Sequence, residues 1–229
     1  MRYYPINLDV QNRECLVVGG GGVGERKVKT LLECGALVTV VTTDATEALQ
    51  ALASERSISL KTREYEPSDM EGKFLVIGAT DNEEVNEKIS KDAAERELLC
   101  NIADRPAACN FVLPAIARQG DLLIAISTSN KSPAVARRIR QNLEKEFGPE
   151  YALLLNLMGA IRQKLLSESK SPEAHKRVFE LLLDEGLLEM IRENRTRDVD
   201  ALLKDVLGNG YTWKELMRVD ELSGSLASA

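Results

Sequence analysis

A glycine-rich loop between two short apolar segments leaves this chain few folds to adopt. The apolar residues 15–19 (CLVVG) predict a buried strand, and the glycine-rich run 19–24 (GGGGVG) follows directly. A helical pattern then continues to residue 34, and a second apolar strand is predicted at 37–41. This is G-x-G-x-x-G inside a βαβ unit, an arrangement typical of dinucleotide-binding sites. A loop that merely permits a tight turn is the alternative interpretation.

Three glycines of this motif have separate predicted roles. Gly19 permits the tight turn, Gly21 lets the backbone approach a pyrophosphate, and Gly24 allows the helix to pack closely on the strand. The pyrophosphate is expected at the helix N-terminus, where free N–H groups and the helix dipole favour negative charge.

An acidic residue follows the second predicted strand. Asp44 lies about twenty residues beyond Gly24, the offset at which an acid hydrogen-bonds the adenosine ribose. An acid there repels a 2′-phosphate, which favours NAD over NADP. Asp44 as the cap of a helix at 45–54 is the alternative, and the sequence does not separate the two roles.

Three more strands are predicted, at 58–63, 74–78 and 98–103. The fully apolar run 74–78 is typical of a parallel sheet covered on both faces, and such sheets bind ligands at the carboxyl ends of their strands. Thr80 and Asp81 follow that run directly, so they either contact the cofactor or cap the next helix.

Asp104 stands at the carboxyl end of the last of these strands, immediately before Arg105-Pro106. The position directs its carboxylate towards the same crevice. A residue that only forms the turn fits the sequence equally well.

Beyond the fifth strand the pattern changes to antiparallel β-structure. Two apolar stretches, 110–117 and 121–127, predict a hairpin. A helix that ends near residue 147 follows, and Ser132 and Pro133 have the N-cap and first-turn preferences that begin it.

The hairpin and its helix carry positive charge in an acidic chain. Between Asp104 and Arg140 there are six cationic side chains against two carboxylates, whereas the whole chain has a net charge of −6. The cations are Arg105, Arg118, Lys131, Arg137, Arg138 and Arg140. Arginine forks match carboxylates, so the segment suits a polyanionic ligand, and a solvated helix face is the alternative.

Composition excludes several other classes. The net charge of −6 argues against general nucleic-acid binding, and no apolar run is long enough to span a membrane. The four cysteines show no C-x-x-C spacing, and a single histidine, His175, argues against a histidine-rich metal site. The opening residues 1–15 have neither a signal core nor a transit pattern. We therefore expect a cytoplasmic protein with reduced thiols and no bound metal.

The predicted fold class is α/β. A Rossmann-type parallel sheet is expected at 1–109, a β-hairpin with its helix at 110–148, and a small helical domain at 149–229.

Taken together, these segments resemble the precorrin-2 dehydrogenase family, which includes the N-terminal part of the multifunctional siroheme synthases. The matching stretches are YYPINLDVQNRECLVVGGGGVGERKVKTLLECGALVTVV, ATDNEEVN and LLCNIADRPAACNFVLPAIARQGDLLIAISTSNKSPAVARRIR. The resemblance implies NAD-dependent oxidation of precorrin-2 to sirohydrochlorin in siroheme biosynthesis. The implied substrate is a reduced tetrapyrrole with eight carboxylate side chains, which accounts for the basic segment.

The resemblance also assigns roles to residues. It makes Asp104 the general base and Gly22, Val23, Thr43 and Asp44 cofactor contacts. Thr128 stands where some relatives have a serine that can be phosphorylated. The family resemblance further implies a homodimer that exchanges the hairpin and its helix, and an exposed apolar hairpin independently favours pairing.

Two other functions remain open from the sequence. Some family members also insert Fe²⁺ into sirohydrochlorin with the same aspartate, so ferrochelatase activity is possible for this chain. A Rossmann module that senses NAD(H) without chemistry is the alternative from another class, and such a sensor needs neither Asp104 nor the basic segment.

Overall fold

The computed structural model describes residues 2–168 and 172–218, which divide into two compact units between Leu113 and Pro114. The first unit alternates strands and helices, as the sequence predicts. Its elements are β1 (Glu14–Gly20), α1 (Gly22–Glu33), β2 (Leu37–Ala45), α2 (Glu47–Ser54), β3 (Ile58–Thr62), β4 (Leu75–Gly78), α3 (Glu83–Glu95) and β5 (Leu99–Ile102).

The five strands form one parallel sheet in the order β3-β2-β1-β4-β5. Strand order reverses between β1 and β4, and open α/β sheets bind ligands outside the carboxyl ends of the strands at such a point. The glycine-rich loop leaves β1 at this position. The predicted Rossmann-type α/β fold is therefore confirmed.

Strand β1 is the centre of the core because both of its faces are covered. Cys15 and Val17 belong to one apolar cluster, while Leu16 and Val18 belong to another on the opposite face of the sheet. Successive side chains of a strand point to opposite faces, so a continuous apolar run is what a doubly covered strand requires.

The second unit contains the predicted antiparallel hairpin and the helices. Its elements are β6 (Ala115–Gln119), β7 (Leu122–Ile126), α4 (Pro133–Glu146), α5 (Glu150–Ser167), α6 (Pro172–Asp184), α7 (Leu187–Arg192) and α8 (Thr196–Leu207), with a further helical segment at 213–218. Ser132 caps α4 by accepting the Val135 N–H at 3.3 Å, as predicted.

The first hairpin strand begins at Ala115, five residues later than predicted. Asn110 belongs to the first unit instead, because its N–H donates to the Cys100 carbonyl and its side chain accepts the Cys100 N–H. Pro114 has no N–H to give to a ladder, which delays the strand further.

The helices of the second unit enclose their own apolar core. Leu157, Ile161 and Leu165 of α5 are fully buried there, together with Leu182 and Leu203. The predicted division at 109 and 148 stays a proposal. The part of the predicted helical domain beyond residue 218 lies outside the described residues. No described helix combines the length and apolar character needed to cross a bilayer.

Candidate functional site

Two glycines of the motif are required by close backbone contacts. Gly19 has a φ of +111°, and a side chain there would overlap the Ala79 carbonyl at the end of β4. A side chain at Gly24 would overlap the Gly19 carbonyl. Loop, helix and strand therefore pack against one another through backbone alone, as the motif predicts.

The middle of the loop is open instead of packed. An added Cβ at Gly21 or Gly22 would meet no atom within 4 Å, and both residues are exposed. Helix α1 starts here, and among the described residues no side chain caps it at Gly21. The N–H groups of its first turn thus have room for an anion, so the loop fits a dinucleotide pyrophosphate.

Gly20 has a role that sequence reasoning missed. A Cβ at this position would approach the Asp44 carbonyl oxygen to 2.5 Å and the Thr42 side chain to 2.7 Å. The Gly20 carbonyl accepts the Thr46 N–H at 3.1 Å, so the end of β2 lies directly against the loop. In the sequence, the only signal for this role is that Gly20 belongs to the run of consecutive glycines at 19–22.

Thr43 and Asp44 lie exposed at the end of β2, which continues to Ala45 and is longer than predicted. The Thr42 hydroxyl donates to the Asp44 carbonyl at 2.6 Å. Thr46 caps α2 by accepting the Leu49 N–H at 3.4 Å. Asp44 is therefore not the helix cap, and that interpretation is wrong.

Thr80 and Asp81 do not cap α3 either, because Asn82 is its N-cap and accepts the Val85 N–H at 3.1 Å. The Thr80 hydroxyl accepts the Asn82 N–H at 3.2 Å, and the Asn86 amide donates to the Thr80 carbonyl at 2.8 Å. These bonds hold the turn that follows β4.

A cleft of about 260 Å³ opens at the carboxyl ends of β4 and β5. Four predicted site residues meet there: Val23, Thr80, Asp104 and Arg105. The remaining lining residues are Ala79, Asp81, Glu83, Asn86 and Ala103. The cleft thus joins the helix that starts in the glycine loop to the carboxylate beyond β5.

Asp104 is exposed and adopts a left-handed backbone conformation, with φ +60°. The thiol of Cys109 holds this turn. Its sulfur accepts the Ile102 N–H at 3.1 Å and lies 3.3 Å from the Ile102 carbonyl and 3.2 Å from the Arg105 carbonyl, either of which can accept its proton. Sequence reasoning missed Cys109, because nothing local marks it as a partner of β5.

Arg105 is engaged by two acids of α3. Its guanidinium forms an ion pair with Glu83 and approaches the Glu87 carboxylate to 3.6 Å. Glu83 lines the cleft as well. The predicted substrate-binding arginine therefore already faces a carboxylate.

Lys27 is a second residue that sequence reasoning missed. Burial lowers the pKa of its ammonium, the neighbouring Arg26 lowers it further, and the negative charge of Asp104 raises it. Lys27 lies one helical turn beyond Val23, so both are on the face of α1 that meets the cleft. Its spacing from Val23 was the one available signal.

The other predicted substrate-binding cations, Arg118, Lys131, Arg137 and Arg138, belong to the second compact unit and are exposed. Arg118 donates to the Gly120 carbonyl at 3.0 Å within the hairpin. Among residues 2–168 and 172–218, no group of three or more His, Cys, Asp or Glu side chains is placed to hold a metal ion.

The fold and the loop define a class of protein. Residues 6–115, just under half of the chain, match the model of a family described as "Putative NAD(P)-binding". The first unit is thus similar to this family over nearly all of its length, and the prediction of NAD as cofactor is confirmed at the level of NAD(P) that the description gives.

Similarity to individual proteins extends further along the chain. It is 34% identical to a siroheme synthase of Methylococcus capsulatus over 203 residues, which are 89% of this chain and 43% of that protein. It is 37% identical to siroheme synthase 2 of Yersinia enterocolitica over 183 residues, 80% of this chain and 39% of that protein. The chain thus spans about two fifths of the length of these relatives.

One solved structure has the same fold over nearly its whole length. "SirC, precorrin-2 dehydrogenase" aligns with a TM-score of 0.76 at 24% identity and covers 89% of this chain and 98% of that one. The resemblance predicted from the sequence is confirmed: the chain is related to siroheme synthases and shares the fold of a precorrin-2 dehydrogenase.

Proposed function

We propose that this protein oxidises precorrin-2 to sirohydrochlorin with NAD, in siroheme biosynthesis. The observation that carries the proposal is the shared cleft: Val23, from the helix of the glycine loop, and the carboxylate Asp104 line the same space. A dehydrogenase needs a proton acceptor beside its bound dinucleotide, whereas a sensor of NAD(H) needs only the dinucleotide site. Sequence similarity to siroheme synthases supports the choice of substrate.

In this proposal the glycine loop binds the dinucleotide. The backbone at Gly21 and Gly22 receives the pyrophosphate, the contacts at Gly19 and Gly24 keep the loop rigid, and Val23 and Thr80 line the nicotinamide side. Thr43 and Asp44 bind the ribose, and the carboxylate favours NAD over NADP. Each of these residues lies at the carboxyl edge of the parallel sheet, where open α/β sheets bind their ligands.

The chemistry divides between cofactor and protein. A dinucleotide bound at the glycine loop would supply the acceptor for a hydride, one proton with two electrons, from the macrocycle. Asp104 removes the accompanying proton as general base, so precorrin-2 and NAD⁺ give sirohydrochlorin, NADH and H⁺. The cations Arg105, Arg118, Lys131, Arg137 and Arg138 bind the carboxylate side chains of the tetrapyrrole.

We also propose that the protein is a homodimer that pairs through the hairpin and α4. Apolar side chains are exposed on these elements, among them Ile116 and Leu123 of the hairpin and Val135 and Ile139 of α4. A two-stranded sheet is marginal alone, and exposed apolar groups favour pairing. A cytoplasmic location is proposed in addition, since all four cysteines are free.

The test is Asp104→Asn, assayed anaerobically with precorrin-2 and NAD⁺ by NADH and sirohydrochlorin absorbance. Loss of a general base is worth about 10²–10⁴-fold in rate, so we expect kcat to fall by at least about 10²-fold. The dissociation constant for NAD, from calorimetry, should stay within about twofold. Asp205→Asn, an exposed aspartate of α8, is the matched control and should keep the wild-type rate.

Wild-type protein that binds NAD but produces no NADH from precorrin-2 would contradict the dehydrogenase and favour the sensor. Full activity in Asp104→Asn would show that Asp104 is not the general base. Metal insertion stays a separate prediction, measured with sirohydrochlorin and Fe²⁺ against the uncatalysed rate.

A further inference from the structure

The cleft is a poor match in charge for the substrate that it is proposed to bind. Among its described lining residues Arg105 is the one cation, whereas Asp81, Glu83 and Asp104 are carboxylates. From these lining residues alone, a polyanionic ligand would meet one positive and three negative charges. Binding of such a ligand therefore depends on which groups the Arg105 guanidinium contacts.

Arg105 is already paired with protein carboxylates. Glu83 and Glu87 stand one helical turn apart on α3, and both face the same guanidinium. Glu83 contacts Nη2, and Glu87 lies 3.6 Å from Nη1. Two protein carboxylates thus face the two guanidinium nitrogens that a single ligand carboxylate would engage together.

The pairing is exposed enough to be exchanged. The side chains of Glu83 and Glu87 are 66% and 70% exposed, and that of Arg105 is 34% exposed. Ion pairs in such surroundings contribute about 0–1 kcal/mol. A ligand carboxylate that replaces Glu83 forms an equivalent bond while Glu83 returns to water, so the exchange costs little. A neutral ligand group forms no equivalent charged bond with Arg105, so it does not replace the ion pair that it breaks.

We propose that Glu83 is a specificity-determining residue that occupies the carboxylate subsite of Arg105 until a substrate carboxylate displaces it. This inference rests on the proposed function and adds a competing contact to it. Glu83 weakens binding of every ligand at this subsite, but least for one that carries a carboxylate. The ion pair between Glu83 and Arg105 therefore favours acidic ligands, because other ligands break it without replacing it.

The experiment is a double-mutant cycle on KM for precorrin-2, with Glu83→Gln, Arg105→Ala and the double variant in the full-length protein. Glutamine keeps the shape of Glu83 and removes its charge, so we expect KM to fall about three- to fivefold, in line with an exposed ion pair. In the Arg105→Ala background the same change should have no effect on KM. NAD affinity should be unchanged throughout.

Glu84→Gln is the matched control, since Glu84 lies on the same first turn of α3 and outside the cleft lining. It should shift KM less than Glu83→Gln. If Glu83→Gln also lowers KM in the Arg105→Ala background, the effect comes from general electrostatic attraction, and the proposal is overturned. If Glu83→Gln leaves KM unchanged and lowers the unfolding temperature, the ion pair only stabilises the fold, and this result also overturns the proposal. Failure of the proposed function is distinguishable, because wild-type protein would then form no NADH.

Discussion

Cys109 illustrates how one side chain can help to hold the turn that carries the proposed general base, Asp104. Asp104 has the left-handed backbone that short polar residues tolerate, yet the turn still needs partners for its peptide groups. The Cys109 sulfur accepts the Ile102 N–H at 3.1 Å, while the Arg105 N–H donates to the Ile102 carbonyl at 3.3 Å and the Ala108 N–H donates to the Arg105 carbonyl at 3.1 Å. The thiol thereby helps to hold the turn from which the exposed Asp104 side chain projects.

We expect Cys109→Ala to reduce turnover of precorrin-2 about 10- to 100-fold, because a small displacement of a reacting group has effects of this size. The Ile102 N–H, which would lose its acceptor, also costs about 1–3 kcal/mol of stability. Steady-state kinetics with a pH profile would measure the loss in kcat, and NAD affinity should be unchanged.

Serine at position 109 provides the diagnostic comparison. Its hydroxyl can donate and accept as the thiol does, although its reach is shorter, so Cys109→Ser should recover part of the rate. Cys34→Ala, at an exposed cysteine, is the control and should behave as wild type. Equal loss in the alanine and serine variants would mean that packing, and not hydrogen bonding, is responsible.

At the scale of elements, the contact between α1 and β1 depends on the absence of a side chain at Gly24. A methyl group there would overlap the Gly19 carbonyl, and backbone cannot move aside as a flexible side chain does. Moving α1 away would also shift the helix N-terminus proposed to bind the pyrophosphate.

Gly24→Ala should therefore lower the free energy of unfolding by about 3 kcal/mol, the upper end of ordinary overpacking costs, and weaken NAD binding. Urea unfolding and calorimetric titration with NAD measure the two effects. Gly159→Ala is the matched control: Gly159 lies within α5 with no atom within 4 Å of an added Cβ. That change should raise stability by about 0.5–1 kcal/mol and leave NAD binding unchanged. Wild-type affinity in Gly24→Ala would contradict this account of the loop.

Element types were more predictable than element ends. The apolar run of β1 and the helical pattern of α1 are local, and both were predicted from spacing. The N-cap of α2 was not, because Asp44 and Thr46 are both acceptable capping residues and only the structure selects Thr46. The extra length of β2 likewise depends on its pairing with the glycine loop, where Gly20 aligns with Ala45.

At the scale of the whole molecule, the proposed dimer places a requirement on the hairpin. Ile116 and Leu123 are 39% and 47% exposed, and an acidic side chain at either position would be costly to bury between two copies. We expect Leu123→Asp to convert a dimer into monomer, measured by analytical ultracentrifugation.

Leu37→Asp is the matched control, since Leu37 is 49% exposed but lies at the start of β2 in the first unit. It should leave the mass in solution unchanged. A monomeric wild-type protein, or a dimer that survives Leu123→Asp, would contradict pairing through the hairpin.

The sequence by itself determined the βαβ unit, the parallel sheet and the backbone roles of Gly19 and Gly24. These follow from residue types and spacings within one or two elements, so local physics is sufficient. The tertiary structure alone decided that Glu83 faces Arg105, that Cys109 holds the Asp104 turn and that Lys27 lies within electrostatic reach of Asp104. Such contacts join α3, β5 and α1, whose relative positions depend on strand order, and strand order is a property of the folded sheet.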